Sequence, residues 1–294
     1  MSKLHSILSA TDLSTPARHA AERAAQLSQE CNVPLCLLHV ANLAPLQRLR
    51  QMLTSDHESV EHKVLSTARE RLQAEADALH SLYGVNVDDR LVVGSLITEI
   101  RAVADELASG LLVCGARGES LLRHMLLGST AERMLSNTTR PLLVVKQAPH
   151  GAYKTVLVPV DFSPSSVRAL RHARLVAPSA QLVVLHVFEV PFEGHLRYAN
   201  VDEDTINHYR VAALQEASRR LQTLCQDAGL SAASSRQVVI QGDPATRVLE
   251  QEVEQDCDLI VMGKHGENAL ENLLLGSVTK QVLVESQADV LVSV

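Results

Sequence analysis

The chain has 294 residues, of which 46% are hydrophobic, 21% are charged and 2% are aromatic, and its formal net charge at pH 7 is −7. This length accommodates two domains of ordinary size, each with a core of its own. The acidic balance, the lack of a basic run and the scarcity of aromatic side chains argue against nucleic-acid binding. No apolar stretch approaches the ~20 residues that span a bilayer, and no signal-peptide pattern is present. We therefore expect a cytoplasmic protein without a membrane span.

The sequence offers only weak candidates for disulfide or metal chemistry. Its five cysteines are odd in number and include no C-x-x-C pair, which is typical of buried free thiols. His57, Glu58, Glu61 and His62 resemble a metal cluster, but histidines five residues apart on a helix lie on different faces. We predict a solvated helix there and no metal site.

Short apolar runs typical of buried strands recur in chain order through the first half, at residues 6–14, 34–40, 90–95, 111–115 and 141–146. The first intervening segment repeats alanine and leucine at intervals of three and four, which indicates a helix, and helical patterns also precede the later runs. Wholly apolar strands joined by helices form parallel sheets that are covered on both faces. We predict a doubly wound α/β domain with a five-stranded sheet.

The second half repeats this order at a nearly constant offset. Asp161 follows Asp12 by 149 residues, and Gly263 follows Gly115 by 148. Matching landmarks in the same order indicate a tandem duplication, with a period too long for a solenoid. The predicted domains are 1–147 and 152–294.

An aspartate ends the first predicted strand of each half, and a serine and a proline follow it closely. This pattern is typical of a helix start with a capping side chain and an early proline. Asp12 and Asp161 also lie where ligands bind in doubly wound sheets, outside the carboxyl ends of the strands. There a carboxylate can face ribose hydroxyls or an adenine amine. The two interpretations are compatible.

A glycine-rich stretch with the same spacing follows the fourth predicted strand of each half. It consists of Gly115, Gly118, Gly128 and Ser129 in the first half, and of Gly263, Gly266, Gly276 and Ser277 in the second. The leading glycine allows a sharp turn and the close approach of a ligand to the backbone. The trailing glycine and serine precede a helical run, whose unpaired N–H groups suit phosphate oxygens. Alternatively, these residues only mark turns and helix caps.

Fast nucleotide chemistry is not indicated by the sequence. Neither glycine stretch contains the G-K-[S/T] of a Walker A loop, and no G-x-G-x-x-G fingerprint follows the first strand. Arg117 and Lys264 lie in the loops at positions suited to touch phosphate, without mimicking the Walker lysine. No Ser–His–Asp or Cys–His arrangement is legible, so we predict ligand binding and assign no catalytic residue.

The spacing G-x2-G-x9-G-[S/T], beside a strand-end aspartate, resembles that of the universal stress protein family, and the resemblance covers both halves. It implies a parallel sheet in the order 3-2-1-4-5 in each half. It also implies binding of ATP or a related adenine nucleotide, with or without magnesium. The implied contacts include backbone groups of Val40 and Val187 at the adenine, and the residues Thr130 and Val278. Finally, it implies that the last strands of the two halves pair inside one chain, while a further homodimer stays open.

The two halves differ at places that bear on the predicted sites. The aspartate that opens the fourth strand of the second half, Asp258, is Gly110 in the first, which we expect to weaken the first site slightly. The segments 41–60 and 188–205 differ most, and we interpret them as lids that set ligand preference.

From the residues and the resemblance together, we predict a cytoplasmic stress-response protein that binds ATP in one or both halves. We expect it to act as a nucleotide-dependent regulator. One alternative is a slow magnesium-dependent ATPase that uses Asp161. Another is a module that binds a protein or an apolar, lipid-like ligand independently of nucleotide. The sequence does not identify a protein partner.

Overall fold

The computed structural model describes residues 4–43, 57–118, 127–190, 193–230, 235–266 and 275–294. The chain divides into two compact units, Met1–Ala152 and Tyr153–Val294. Within the described ranges, no helix combines the length and the apolar character that a membrane crossing requires.

The first unit is an α/β unit with a parallel sheet. Its described strands are β1 (Ile7–Ala10), β2 (Leu35–Ala41), β3 (Val87–Val93), β4 (Leu111–Gly115) and β5 (Leu142–Val145). Its described helices are α1 (Thr15–Cys31), α2 (His57–Tyr83), α3 (Leu96–Glu106) and α4 (Ser129–Asn137). Neighbouring strands pair in parallel in the order β3-β2-β1-β4-β5.

The second unit repeats this architecture. Its described strands are β6 (Thr155–Pro159), β7 (Gln181–Phe188), β8 (Ser235–Gln241), β9 (Leu259–Gly263) and β10 (Asp289–Ser293). Its described helices are α5 (Pro164–Val176), α6 (Glu193–Tyr198), α7 (Glu203–Asp227), α8 (Pro244–Glu254) and α9 (Ser277–Glu285). The strands pair in parallel in the order β8-β7-β6-β9-β10.

Apolar strands form the centre of each unit. Every residue of β5 is buried, as are the first four residues of β4 and of β9. Helix α1 packs against α2, β1 and β4, and helix α8 packs against α9, β6 and β7. A strand without a polar side can be buried only if helices cover both faces of its sheet. The predicted fold class, a parallel α/β sheet flanked by helices in each half, is confirmed.

Serine side chains begin the first helix of each unit, as the sequence pattern predicts. The hydroxyl of Ser14 accepts a hydrogen bond from the Ala17 N–H, and that of Ser163 accepts one from the Ser166 N–H. A proline lies in the first turn of both helices, where its missing N–H costs nothing. The serines therefore act as the N-caps of the two helices.

Asp258 lies at the amino end of the second sheet. Its Oδ2 accepts hydrogen bonds from the backbone N–H groups of Lys154 at 2.8 Å and Thr155 at 2.9 Å. Gly110 in the first unit has no such side chain, although its N–H donates to the Ser6 carbonyl as the Asp258 N–H donates to the Thr155 carbonyl. This difference lies at the edge opposite the carboxyl ends of the strands. Its position does not support the expectation that Gly110 weakens the first site.

A buried glutamate connects α8 to the last strand of the second unit. Glu252 is 6% exposed, and its Oε1 accepts hydrogen bonds from the backbone N–H groups of Gln287 at 2.7 Å and Ala288 at 2.5 Å. These residues lead directly into β10. The carboxylate therefore satisfies two backbone donors that a truncated side chain would leave unpaired.

We expect Glu252→Ala to lower the free energy of unfolding by about 2 kcal/mol, because the buried N–H of Ala288 and the part-buried N–H of Gln287 lose this acceptor. Glu250→Ala, on the same helix, removes only an exposed ion pair to Arg247 and is expected to cost less than about 1 kcal/mol. Urea unfolding of both variants measures the difference. Equal midpoints would contradict this role of Glu252.

Candidate functional site

A loop leaves the fourth strand of each unit and returns to a helix start. Residues 119–126 and 267–274, in the middle of these loops, lie outside the described residues. The N–H of Gly128 donates to the Ala116 carbonyl at 2.8 Å, and the N–H of Gly276 donates to the Lys264 carbonyl at 3.0 Å. Each loop is therefore closed at its base by the glycine that precedes the helix.

The second glycine of each loop lies against the aspartate that follows the first strand. A Cβ atom built on Gly118 would lie 2.5 Å from Asp12 Oδ2, and one built on Gly266 would lie 2.8 Å from Asp161 Oδ2. Both distances are too short for a carbon–oxygen contact. The loop and the aspartate therefore approach this closely only because the loop residue is glycine.

The helix that follows each loop presents its first N–H groups at the same edge. Gly128 and Gly276 are the N-caps, without a side-chain cap, so Ser129 and Ser277 are the first helical residues. The sequence places these serines at or near the cap, and they lie one residue inside it. In α9, the first intrahelical bond runs from the Lys280 N–H to the Gly276 carbonyl. The N–H groups of the preceding turn point out of the helix and carry the positive end of its dipole.

The second strand of each sheet continues past the end of the first. The Leu185 carbonyl accepts from the Val160 N–H on the β6 side, and the Phe188 carbonyl accepts from the Gly242 N–H on the β8 side. Backbone groups alternate in direction along a strand, so the N–H and C=O of Val187 point to the β6 side, beyond the end of β6.

The first unit repeats this arrangement around Val40. There the Leu38 carbonyl accepts from the Thr11 N–H, and the Ala41 carbonyl accepts from the Gly94 N–H. The backbone groups of Val40 therefore point to the β1 side, where β1 has already ended. In both units, a hydrogen-bonding pair of one donor and one acceptor is directed past the end of the first strand.

These features surround one cavity in the second unit. Its volume is ≈ 480 Å³. Its lining includes all seven residues of this half that we predict as ligand contacts: Asp161, Val187, Gly263, Gly266, Gly276, Ser277 and Val278. Apolar walls come from Pro159, Leu185, Pro244, Val248 and Met262. The cavity thus has an apolar wall, a carboxylate and a helix N-terminus on its lining, three features that a small amphipathic anion can use.

Two hydroxyl residues of this cavity, Ser166 and Thr279, were not predicted from the sequence. The Ser166 hydroxyl donates to Asp161 Oδ1 at 2.6 Å. The Thr279 hydroxyl donates to the Gly263 carbonyl at 2.9 Å, which joins α9 to the end of β9. An alignment of the two halves shows both positions as differences, because Ala17 and Ala131 occupy them in the first half.

The residue after each aspartate has an unusual backbone conformation. Leu13 has φ 63° and Phe162 has φ 66°, in the left-handed region that costs a non-glycine residue about 1–2 kcal/mol. An arginine contacts each of these residues. Arg71 of α2 donates to the Leu13 carbonyl at 2.9 Å, and the Arg220 guanidinium of α7 lies 4.2 Å from the Phe162 ring centroid. The two units therefore share this left-handed residue directly after the aspartate.

The repeated histidines near the ends of β2 and β7 have a defined role. His39 Nδ1 lies 2.8 Å from the Thr11 carbonyl, and His186 Nδ1 lies 2.8 Å from the Val160 carbonyl. A carbonyl only accepts, so Nδ1 carries the proton in both rings. These bonds hold the residue before each aspartate to the neighbouring strand.

Lys264 does not line the cavity. The residue is 4% exposed, and burial lowers the pKa of its ammonium group below the usual value. Its backbone carbonyl closes the loop at Gly276. The sequence-based suggestion that Lys264 touches phosphate therefore receives no support from its position.

Two other predicted features fall partly outside the described residues. The side chains of 57–59 are outside them, which includes His57 and Glu58 of the suggested metal cluster. Among the side chains that are described, no group of three His, Cys, Asp or Glu residues could hold a metal ion. Of the two predicted lids, residues 44–56 and 191–192 are not described.

The described part of the second predicted lid contains α6. Glu193, at the start of this helix, accepts hydrogen bonds from Arg210 of α7 and, at 2.9 Å, from Gln241 Nε2 at the end of β8. The guanidinium of Arg210 lowers the pKa of Glu193 below its usual value. These bonds connect the segment to the sheet edge that carries the cavity.

Comparison with known proteins gives a consistent result. A family model described as the universal stress protein family matches residues 3–146 and 152–293. A universal stress protein of Mycolicibacterium smegmatis is 28% identical over 305 residues, covering 98% of this chain and 96% of that protein. The crystal structure of a universal stress protein from Archaeoglobus fulgidus has a TM-score of 0.69 at 23% identity, covering 98% of this chain and 97% of that one. A universal stress protein solved in complex with cAMP is 30% identical, covers 48% of this chain and 97% of that one, and has a TM-score of 0.32.

The surroundings of two glycines lead to a prediction about stability. A Cβ at Gly263 would lie 2.7 Å from the Ser165 Cβ, whereas the nearest atom to a Cβ at Gly276 would be the Lys264 carbonyl oxygen at 3.4 Å. We expect Gly263→Ala to cost about 1–3 kcal/mol of unfolding free energy. We expect Gly276→Ala to cost less than about 1 kcal/mol, through a poorer N-cap. Urea unfolding measures both, and a larger loss for Gly276→Ala would contradict the described packing.

Proposed function

The chain belongs to the universal stress protein family, and from this premise and the site geometry we propose that it binds ATP and acts as a nucleotide-dependent regulator. The second unit provides one site, in the cavity at the carboxyl edge of its sheet. The first unit provides the equivalent site. The proposed contact residues are Asp12, Val40, Gly115, Gly118, Gly128, Ser129, Thr130, Asp161, Val187, Gly263, Gly266, Gly276, Ser277 and Val278.

The observation that best supports the proposal is the content of the cavity in the second unit. Its volume of ≈ 480 Å³ lies within the range of small-molecule sites. A nucleotide needs an apolar slot for its base, a polar group for its ribose and a positive region for its phosphates. The lining provides an apolar wall, a carboxylate and a helix N-terminus, each in a different part of the cavity.

The phosphates would lie at the start of α9. The N–H groups of Ser277, Val278 and Thr279 belong to the first turn, and the helix dipole adds about half a positive charge. Gly276 has no side chain between this turn and the cavity. A phosphate group at a helix N-terminus is a recurrent and favourable arrangement.

The base and the ribose would lie on the other side of the cavity. Leu185, Pro244 and Val248 provide apolar walls for a flat ring. The backbone N–H and C=O of Val187 form one donor and one acceptor, which complements the edge of adenine. Asp161, beside Gly266, can accept a hydrogen bond from a ribose hydroxyl or from the adenine amine.

A regulatory role would follow from where the phosphates bind. The loops after β4 and β9 are closed at their base by hydrogen bonds from the N–H groups of Gly128 and Gly276. A ligand that bridges the helix start and the loop would stabilise one loop conformation over others. The loop surface would then differ between the nucleotide-bound and the nucleotide-free protein.

The proposal predicts two ATP sites per chain in isothermal titration calorimetry. Gly276→Val should remove the second site and Gly128→Val the first, because the side chain occupies the space of a phosphate. Each removal should weaken binding by more than about tenfold, or about 1.4 kcal/mol. Each variant is the control for the other, since it leaves the opposite site intact.

Two further ligands show how much the phosphates contribute to the binding affinity. Adenosine has no phosphate and cAMP has one, so both should bind more weakly than ATP, and Gly276→Val should affect adenosine least. A cooperative urea unfolding transition in each variant shows that it folds. Absence of ATP binding to the intact chain would sink the proposal, and would favour a nucleotide-independent interaction module.

A slow magnesium-dependent ATPase makes a separate prediction. Asp161 is the only carboxylate among the described residues of the cavity wall, so a magnesium ion there would depend mainly on phosphate and water ligands. We expect ATP binding without magnesium-dependent phosphate release above background. Release of phosphate that requires magnesium and is lost in Asp161→Ala would instead establish the enzyme.

A further inference from the structure

The second unit fixes its strand-end aspartate with a serine hydroxyl. Asp161 Oδ1 accepts hydrogen bonds from the Ser166 hydroxyl at 2.6 Å and from the Ser163 N–H at 3.0 Å. The Ser166 oxygen in turn accepts a hydrogen bond from the backbone N–H of Asp161 at 2.9 Å. One hydroxyl thus joins the carboxylate of Asp161 to its own backbone and adds a side-chain donor to Oδ1.

The other carboxylate oxygen of Asp161 points towards the loop after β9. Ser166 is 3% exposed, so the bonds it makes are largely shielded from water. Asp161 Oδ2 lies on the side of Gly266, where a Cβ would be 2.8 Å away. Ser166, Asp161 and Gly266 all line the cavity. The oxygen not held by Ser166 therefore lies at the cavity edge.

The first unit lacks this hydroxyl. Ala17 takes the place of Ser166: its N–H donates to the Ser14 hydroxyl at 3.3 Å, as the Ser166 N–H donates to the Ser163 hydroxyl at 3.3 Å. Asp12 Oδ1 accepts from the Ser14 N–H at 3.1 Å. These backbone hydrogen bonds are equivalent in the two units. The methyl group of Ala17, however, can neither donate nor accept a hydrogen bond.

We propose that Ser166 is a positioning residue, which orients Asp161 to accept a hydrogen bond from the nucleoside part of the ligand and makes the second site the tighter of the two. This inference rests on the nucleotide binding proposed above. A carboxylate already held in the bound rotamer loses less conformational freedom when the ligand arrives. In the first site, Ala17 offers Asp12 no such hydroxyl donor.

A double-mutant cycle tests this role in the full chain. The Gly128→Val background removes the first site, so that ATP reports on the second. In that background we would measure the dissociation constant for the parent, Ser166→Ala, Asp161→Ala and the double variant. We expect Ser166→Ala to weaken ATP binding about tenfold when Asp161 is present, as for the loss of a hydrogen bond to a charged group. We expect no further loss from Ser166→Ala when Asp161 is absent.

The alternative is that Ser166 contacts the ligand directly, since it lines the cavity itself. In that case the two losses would add, and the additive result would overturn the proposal. An unchanged affinity in Ser166→Ala would overturn it as well. Absence of ATP binding in the parent would be a failure of the proposed function, which is a different outcome.

The reciprocal variant, Ala17→Ser, tests the same role if Ser166→Ala does not fold. In the Gly276→Val background, which leaves only the first site, Ala17→Ser should tighten ATP binding severalfold, by giving Asp12 the missing donor. Asp12→Ala should abolish this gain. A gain that persists without Asp12, or no gain at all, would contradict the positioning role.

The analogues 2′-deoxyATP, 3′-deoxyATP and inosine triphosphate identify the partner of Asp161. Each lacks one donor that ATP presents: a ribose hydroxyl in the first two and the adenine amine in the third. The effect of Ser166→Ala should disappear for the analogue that lacks the relevant donor. An equal effect on all four nucleotides would show that Ser166 acts on the fold of the site rather than through Asp161.

Discussion

The contact between an aspartate carboxylate and a glycine of the loop after the fourth strand organises both candidate sites. Asp12 meets Gly118 and Asp161 meets Gly266, with no room for a Cβ in either case. Each pair is distant in sequence and adjacent because the strands are parallel, so that the first and fourth strands end at the same edge. The left-handed residues Leu13 and Phe162 follow these aspartates, and strain at the same place in both units indicates that the conformation is required there.

The other parts of the site depend on the same edge. The second strand extends past the first, which turns the backbone groups of Val40 and Val187 towards the space above it. The helix after the loop begins at a glycine, so its first N–H groups reach that space without an intervening side chain. The fold therefore directs backbone groups of the second strand and of the helix start towards the same space, whichever side chains line it.

Side chains are where the two units differ. Ser166 and Thr279 have alanine in their places in the first unit, and His265, which lines the second cavity, corresponds to Arg117. The duplication keeps the backbone elements of the candidate site and changes these hydroxyl and charged residues. It can still change the affinity and the response of each site separately.

Much of this architecture could be predicted from the sequence, because glycine spacing and apolar runs report backbone requirements directly. The strand order came from family resemblance, since strands that are all apolar give no sign of which one is central. Ser166 was missed because a serine in the first turn of a helix has many ordinary uses. The conformation of Leu13 and Phe162 was missed because neither is a residue type that favours the left-handed region.

The most direct test of the account is the hydrogen exchange of the first amides of α9, followed by NMR with and without nucleotide. If phosphates bind at this helix start, ATP will slow exchange at Ser277 and Val278, and adenosine will not. Exchange that is unchanged by ATP, or slowed equally by adenosine, would contradict the central claim that the helix N-terminus holds the phosphates.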